Sequence, residues 1–138
     1  MEIFSPPRMV PEARRMGLPL GSSCSWDLRT GWDSRNPAEV RRLWETLKRD
    51  RPWMVILQPE CRAFSVMQNI NRDRVSEDVR HAAITDGLND LILCMEIAED
   101  RGRRGRKILF EHSSENRTEG LERGLLAMRA SQHQREDP

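Results

Sequence analysis

The sequence lacks any long apolar run and carries almost no net charge. No stretch approaches the roughly 20 consecutive apolar residues that a membrane-spanning helix needs. The opening residues MEIFSPPR also lack the charged-then-apolar order of a secretory signal peptide. Both absences predict an intracellular protein, nuclear or cytoplasmic, with no membrane partner.

Charge of one sign does not dominate the chain. Lysine and arginine together number 23, and aspartate and glutamate together number 22, so there is no overall electrostatic preference for nucleic acid. Any contact with phosphate must therefore be local. The length of 138 residues suits one domain with a real core, which we expect over residues 1–131, with a frayed tail at 132–138.

Cysteine is scarce and scattered. Cys24, Cys61 and Cys94 are odd in number and far apart, which fits neither a disulfide framework nor a zinc site built from CxxC pairs. His81 also has no partner at metal-ligand spacing. We therefore expect reduced thiols and no metal.

Short apolar segments alternate with helical patterns along the chain. Segments bounded by turn residues predict strands at 2–5, 22–28, 54–57 and 108–110. Helical spacing predicts helices at 10–18, at 36–50, from 76 to about 98 and at 118–131, with a short one beginning at 64–67. The start signal is strongest at Asn36-Pro37, an N-cap side chain followed by a first-turn proline.

This alternation is typical of βαβ units. It predicts a three-layer α/β fold, with a mostly parallel sheet of about four or more strands and helices on both faces. Cys61 follows the third predicted strand, at the edge where ligands of open α/β sheets bind, so it is a candidate nucleophile. The alternative is a small thiol that only packs.

The segments EIFS, PECRAFS and ILFEH, with Asp27 between the first two, resemble the core motifs of DNA (cytosine-5) methyltransferases. In that family a DLFAG-type motif ends the first strand, and an acid after the second strand holds the ribose of S-adenosylmethionine. A PPCQxFS loop then carries the nucleophilic cysteine, and an ENV motif supplies a glutamate. The resemblance implies an incomplete Rossmann-like fold of the class I methyltransferase type, S-adenosylmethionine as cofactor and DNA as partner.

The resemblance assigns roles to individual residues. Phe4, Ser5 and Asp27 would bind the cofactor, Cys61 would add to cytosine C6, and Glu111 would stabilise the charge that develops near N3. Arg62 and Ser65 flank the thiol and would contact the DNA. Asp33 competes with Asp27 for the ribose, and either can instead be an Asx-type turn residue. Glu111 can equally be a solvated carboxylate at a strand end.

Several positions depart from the family pattern. Pro6 and Pro7 replace glycines that allow close approach of the cofactor. Glu60 replaces a proline and puts a negative charge beside the thiol, which disfavours the thiolate, and Arg62 offsets that charge in part. The later part of the catalytic domain and the region that recognises the DNA target are missing. We therefore expect a catalytically inactive remnant.

The run RGRRGRK is a second place where DNA could be contacted. Arg103 and Arg104 are the candidate phosphate contacts, but such a run is more often a solvated turn, and it has no interleaved aromatic residue to stack on bases. More loosely, FSPPR, DLRTGWD and FEH resemble methyltransferase-like segments of retroelement-type polyproteins. The alternative function is therefore a non-enzymatic interaction or nucleic-acid-contacting module of a mobile-element polyprotein.

Overall fold

Strands and helices alternate along the chain, as the sequence predicts. The structure is a computed structural model that describes residues 1–20, 24–60 and 76–111. Its strands are β1 (Glu2–Ile3), β2 (Ser25–Trp26), β3 (Met54–Leu57) and β4 (Lys107–Phe110). Its helices are α1 (Met9–Arg15), α2 (Pro37–Asp50) and α3 (Glu77–Arg103), with a 3₁₀ turn at Leu28–Thr30. The predicted helices at 64–67 and 118–131 and the tail at 132–138 lie outside the described residues.

The four strands form one parallel sheet in the order β2-β1-β3-β4. Ile3 pairs with Trp26 on one side and with Leu57 on the other, so β1 is an inner strand despite its length of two residues. Ile3, Val55 and Leu57 are fully buried, which explains why the β3 segment is a continuous apolar run rather than an alternating one. The prediction of a mostly parallel α/β sheet of about four strands is confirmed.

Helix α2 begins and ends where the sequence predicts. The Asn36 side chain accepts a hydrogen bond from the Ala38 N–H (3.0 Å), and Pro37 is the first helical residue. Leu43 and Leu47 are fully buried on one face. The helix ends where Arg51 adopts the left-handed conformation (φ 46°) and its N–H donates to the Leu47 carbonyl (3.2 Å).

A buried carboxylate from β1 caps helix α1. Glu2 is only 1% exposed, and its carboxylate accepts hydrogen bonds from the N–H groups of Met9 (2.8 Å) and Val10 (2.9 Å) and from the Ser25 hydroxyl (2.8 Å). Burial alone would raise the pKa of Glu2, but these hydrogen bonds outweigh it and hold the pKa below its ordinary value. The first strand is thereby tied to the helix that follows it.

Helix α3 is longer than predicted. The expected end near Ala98 is wrong, because the helix continues to Arg103 and closes with Gly105 in the left-handed conformation (φ 67°). Arg101, expected in a solvated turn, lies inside the helix and is 1% exposed. Its guanidinium donates to the Leu47 carbonyl (3.1 Å) and pairs with Asp100, which supplies the partners that a buried arginine requires.

The chain divides into two compact units. The first, which we call the sheet unit, comprises Met1–Pro59 with Glu96–Glu111 and contains the whole sheet. The described part of the second unit is Glu60 and residues 76–95, so it includes most of α3. In that part Leu91 of the predicted apolar stripe is buried; four other members are half-buried, namely Ile84, Leu88, Ile92 and Met95. No helix in the described ranges combines the length and apolar character needed to span a bilayer.

Candidate functional site

The order in which strands are added to the sheet reverses between β1 and β3. The chain runs from β1 to β2 on one side and then crosses back to β3 on the other side of β1. In open parallel sheets, ligands bind in the crevice outside the carboxyl ends of the strands at such a switch point. Phe4 and Gln58 follow the two strands there, and the Gln58 N–H donates to the Ile3 carbonyl (3.0 Å). This carboxyl edge is the candidate site.

Phe4 leaves the sheet in a strained conformation. Its φ of 60° lies in the left-handed region, which non-glycine residues adopt rarely. Its ring packs edge-on against Trp32, with ring centroids 5.0 Å apart, and Trp32 packs edge-on against Trp26 at 6.1 Å. Backbone strain that surrounding packing maintains is concentrated at functional sites, so the Phe4 conformation singles out this loop.

Ser5 is turned into the protein. It is 1% exposed, and its hydroxyl donates to the Pro6 carbonyl (3.0 Å). In this conformation the side chain presents no polar atom to solvent. Its cofactor role stays a prediction.

Asp27 and Asp33 both make the Asx-type turn bonds that the sequence allows. Asp27 accepts from the Arg29 N–H (2.9 Å), while its own N–H donates to the Thr30 hydroxyl (3.1 Å). Asp33 accepts from the Arg35 N–H (3.0 Å), and both its oxygens also accept from the Arg35 guanidinium at 2.9 Å, which lowers the pKa of Asp33.

Of these two acids, Asp27 is better placed to meet a ligand. It follows β2 directly at the carboxyl edge, and its carboxylate forms no ion pair with any residue in the described ranges. Asp33 lies further along the chain, with both oxygens held by Arg35. The binding of a ribose by Asp27 remains a prediction.

Glu111 is held by a residue that the sequence reasoning missed. The Gln58 side-chain amide donates to the Glu111 carboxylate, and the Glu111 N–H donates to the Leu57 carbonyl (2.9 Å). Both side chains directly follow neighbouring parallel strands, so the pairing of β3 with β4 brings them together. The sequence does contain a signal for this pair, because Gln58 and Glu111 each directly follow a predicted strand.

The other predicted site residues are not gathered at this edge. Cys61, Arg62 and Ser65 lie outside the described residues. Arg103 and Arg104 precede β4, so they lie at the amino edge of the sheet, opposite Glu111. There Arg103 pairs with Glu99, and Arg104 pairs with Asp100 (3.0 Å).

Comparison with known protein families, with curated proteins and with solved structures finds no match to this chain. Among the residues that the structure describes, no group of three or more histidines, cysteines and carboxylates is arranged to hold a metal ion.

Proposed function

We propose that this chain is a DNA (cytosine-5) methyltransferase-like domain that has lost methyl transfer and serves as a non-enzymatic module. The parallel sheet with its switch point between β1 and β3 supports the lineage. Asp27 and Glu111, which carry two of the resembling motifs, both follow strands at the carboxyl edge. A Rossmann-like class I arrangement, with helices on both faces of the sheet, is part of the proposal.

The loop after β1 does not fit S-adenosylmethionine. In doubly wound folds, nucleotide-type ligands bind the free N–H groups at the start of the helix that follows the first strand. Here the Glu2 carboxylate already accepts from the N–H groups of Met9 and Val10. Pro6 and Pro7 stand where glycines would admit the cofactor. The occupied start of α1 is the observation that carries the proposed loss of activity.

Calorimetry with S-adenosylmethionine tests the loss of the cofactor site. We expect no binding heat at millimolar ligand. Binding in the micromolar range would contradict the proposal, because it would show that the loop accommodates the cofactor despite Glu2 and the two prolines.

A methyl-incorporation assay on cytosine-rich DNA tests the lineage and the loss of chemistry together. The unaltered chain is expected to transfer no methyl group, because base flipping needs contacts that offset several kcal/mol of unstacking and the matched motifs include no DNA-recognition region. Activity that disappears in Cys61→Ser would overturn the proposal. Activity that appears only in Glu60→Pro would support the lineage and locate the defect beside the thiol.

A further inference from the structure

A small pocket at the amino edge of the sheet is lined almost entirely by cations. Its volume is about 370 Å³, and it lies where α2 and α3 end, before β3 and β4 begin. The lining residues are Leu47, Lys48, Arg51, Arg101, Arg104 and Arg106. We call it the amino-edge pocket. All six residues belong to the sheet unit.

The positive charge of the amino-edge pocket is only partly compensated. Asp100 pairs with both Arg101 and Arg104. Lys48, Arg51 and Arg106 form no ion pair with any residue that the structure describes. The two helix C-termini at the pocket contribute about half a negative charge each. Five cations therefore face about two negative charges, and a surplus of about three positive charges remains.

The backbone of Arg51 gives a second, independent indication that the site is functional. Arg51 occupies the left-handed position that closes α2 (φ 46°, ψ 53°), where glycine is the usual residue because a side chain is strained there. Capping the helix does not require an arginine side chain, since the capping hydrogen bond comes from the backbone N–H. The strained residue is instead a cationic one that lines the pocket.

Arg101 makes the walls of the pocket rigid. It is 1% exposed, and its hydrogen bond to the Leu47 carbonyl joins the end of α2 to the end of α3. The cations at the two helix ends are therefore held near one another before any ligand arrives, and such preorganisation reduces the entropy lost on binding.

We propose that the amino-edge pocket binds a compact ligand that carries two or more phosphate groups. A phosphate monoester carries about −1.5 to −2 charges, so two phosphate groups match the surplus of about three positive charges where a single carboxylate does not. Guanidinium groups bind phosphate oxygens in bidentate geometry. The volume of about 370 Å³ falls within the range of small-molecule sites. The proposal rests on other residues than the methyltransferase resemblance and does not depend on it.

Calorimetric titration of the full chain with inorganic triphosphate tests the proposal. We expect micromolar binding that weakens as ionic strength rises. Arg51→Gly and Arg106→Gln should each weaken it about tenfold, because each removes one charge-assisted contact. Arg51→Gly is the more informative variant, because glycine adopts the left-handed conformation without strain and the fold should be preserved. Arg49→Gln is the matched control, because it loses the same charge two residues away, outside the pocket, and should leave the affinity unchanged.

Short duplex DNA provides the second arm of the experiment. Displacement of bound DNA by triphosphate, with both ligands weakened by Arg51→Gly, would support the pocket and identify backbone phosphate as a source of the ligand groups. The proposal is overturned if triphosphate does not bind. It is also overturned if Arg49→Gln weakens binding as much as Arg51→Gly does, because the cations would then act as a diffuse charged surface.

Discussion

The two edges of the parallel sheet differ in how their polar groups are used. At the carboxyl edge, Gln58 binds Glu111 and Asp27 caps the turn that follows it. At the amino edge, Lys48, Arg51 and Arg106 line one pocket without an ion pair among the described residues. Strand direction favours the first edge as a ligand site, whereas uncompensated charge favours the second.

The two edges differ in how much a ligand would gain by binding there. Carboxyl-edge groups that satisfy one another have less to gain from a ligand, because each new contact must replace one that exists. Cations that repel one another gain more from an anion that relieves the repulsion.

Glu2→Ala should be more destabilising than any of the substitutions that follow. It leaves the Met9 and Val10 N–H groups and the Ser25 hydroxyl without their acceptor in a buried setting, at a cost of about 3 kcal/mol in the free energy of unfolding. Urea denaturation measures it. Glu12→Ala is the control, since Glu12 is exposed on α1, the helix that Glu2 caps, and should change stability by less than about 0.5 kcal/mol. Equal effects would show that Glu2 is not a structural cap.

Arg101→Met should lower the free energy of unfolding by about 2 kcal/mol, because the Leu47 carbonyl loses a buried donor while Asp100 keeps Arg104. Arg103→Met, an exposed arginine two residues away, should change it by less than about 0.5 kcal/mol. Denaturant midpoints compare the two variants. If Arg101→Met leaves the free energy of unfolding unchanged, Arg101 does not hold the two helix ends of the amino-edge pocket together.

Glycine in place of Phe4 and of Arg51, the non-glycine residues with left-handed backbones in the described ranges, should have opposite effects at the two edges. Arg51→Gly should raise the free energy of unfolding by up to about 1 kcal/mol, because it removes strain and no packed side chain. Phe4→Gly should lower it by about 1 kcal/mol, since the lost contact with Trp32 outweighs the relieved strain. Thermal unfolding of both variants measures whether each substitution raises or lowers the free energy of unfolding. If Phe4→Gly proves stabilising, the two positions do not differ in the way predicted.

Acid should destabilise the sheet unit through Glu2. The folded-state pKa of Glu2 lies below its ordinary value of 4.5, so its contribution is complete above that value and is lost as the pH falls through the depressed pKa. Glu2→Gln should therefore flatten the dependence of unfolding free energy on pH below about 4.5. An unchanged slope would indicate that another carboxylate is responsible.

Local signals in the sequence predict the positions of the elements better than their bounds, since the predicted strands at 2–5 and 22–28 continue beyond the observed Glu2–Ile3 and Ser25–Trp26. Asn36-Pro37 fixes the start of α2, Gly17 follows the end of α1, and the apolar run 54–57 is β3, because caps and buried strands depend on neighbouring residues. The roles of Glu2 and Arg101 were not predictable in this way. In the sequence Glu2 has the character of an exposed edge residue, and only the fold brings Ser25 and α1 into contact with it. Arg101 likewise has the character of a solvated residue, and only the fold brings the Leu47 carbonyl beside it.

The candidate site was predicted only in part, because its geometry depends on contacts between residues that are distant in the sequence. Parallel strands place Asp27 and Glu111 at one edge once their order is known, and that order depends on long-range pairing. Gln58 was missed because its partner, Glu111, lies 53 residues later in the chain. That Arg51, Arg104 and Arg106 line one pocket was likewise not predictable, because it depends on how the ends of α2 and α3 lie together in the fold.

The inner position of β1 has a consequence for the order of folding. Glu2 pairs with Ser25 and with Ile56, so the second pairing must close a long loop, whereas α2 is stabilised by its own cap and can form early. During synthesis the ribosome adds the residues between Ile3 and Leu57 over several seconds, at about 5–20 residues per second. For that interval Ile3 has no β3 to cover it, so the burial of β1 is completed only after Leu57 has been added.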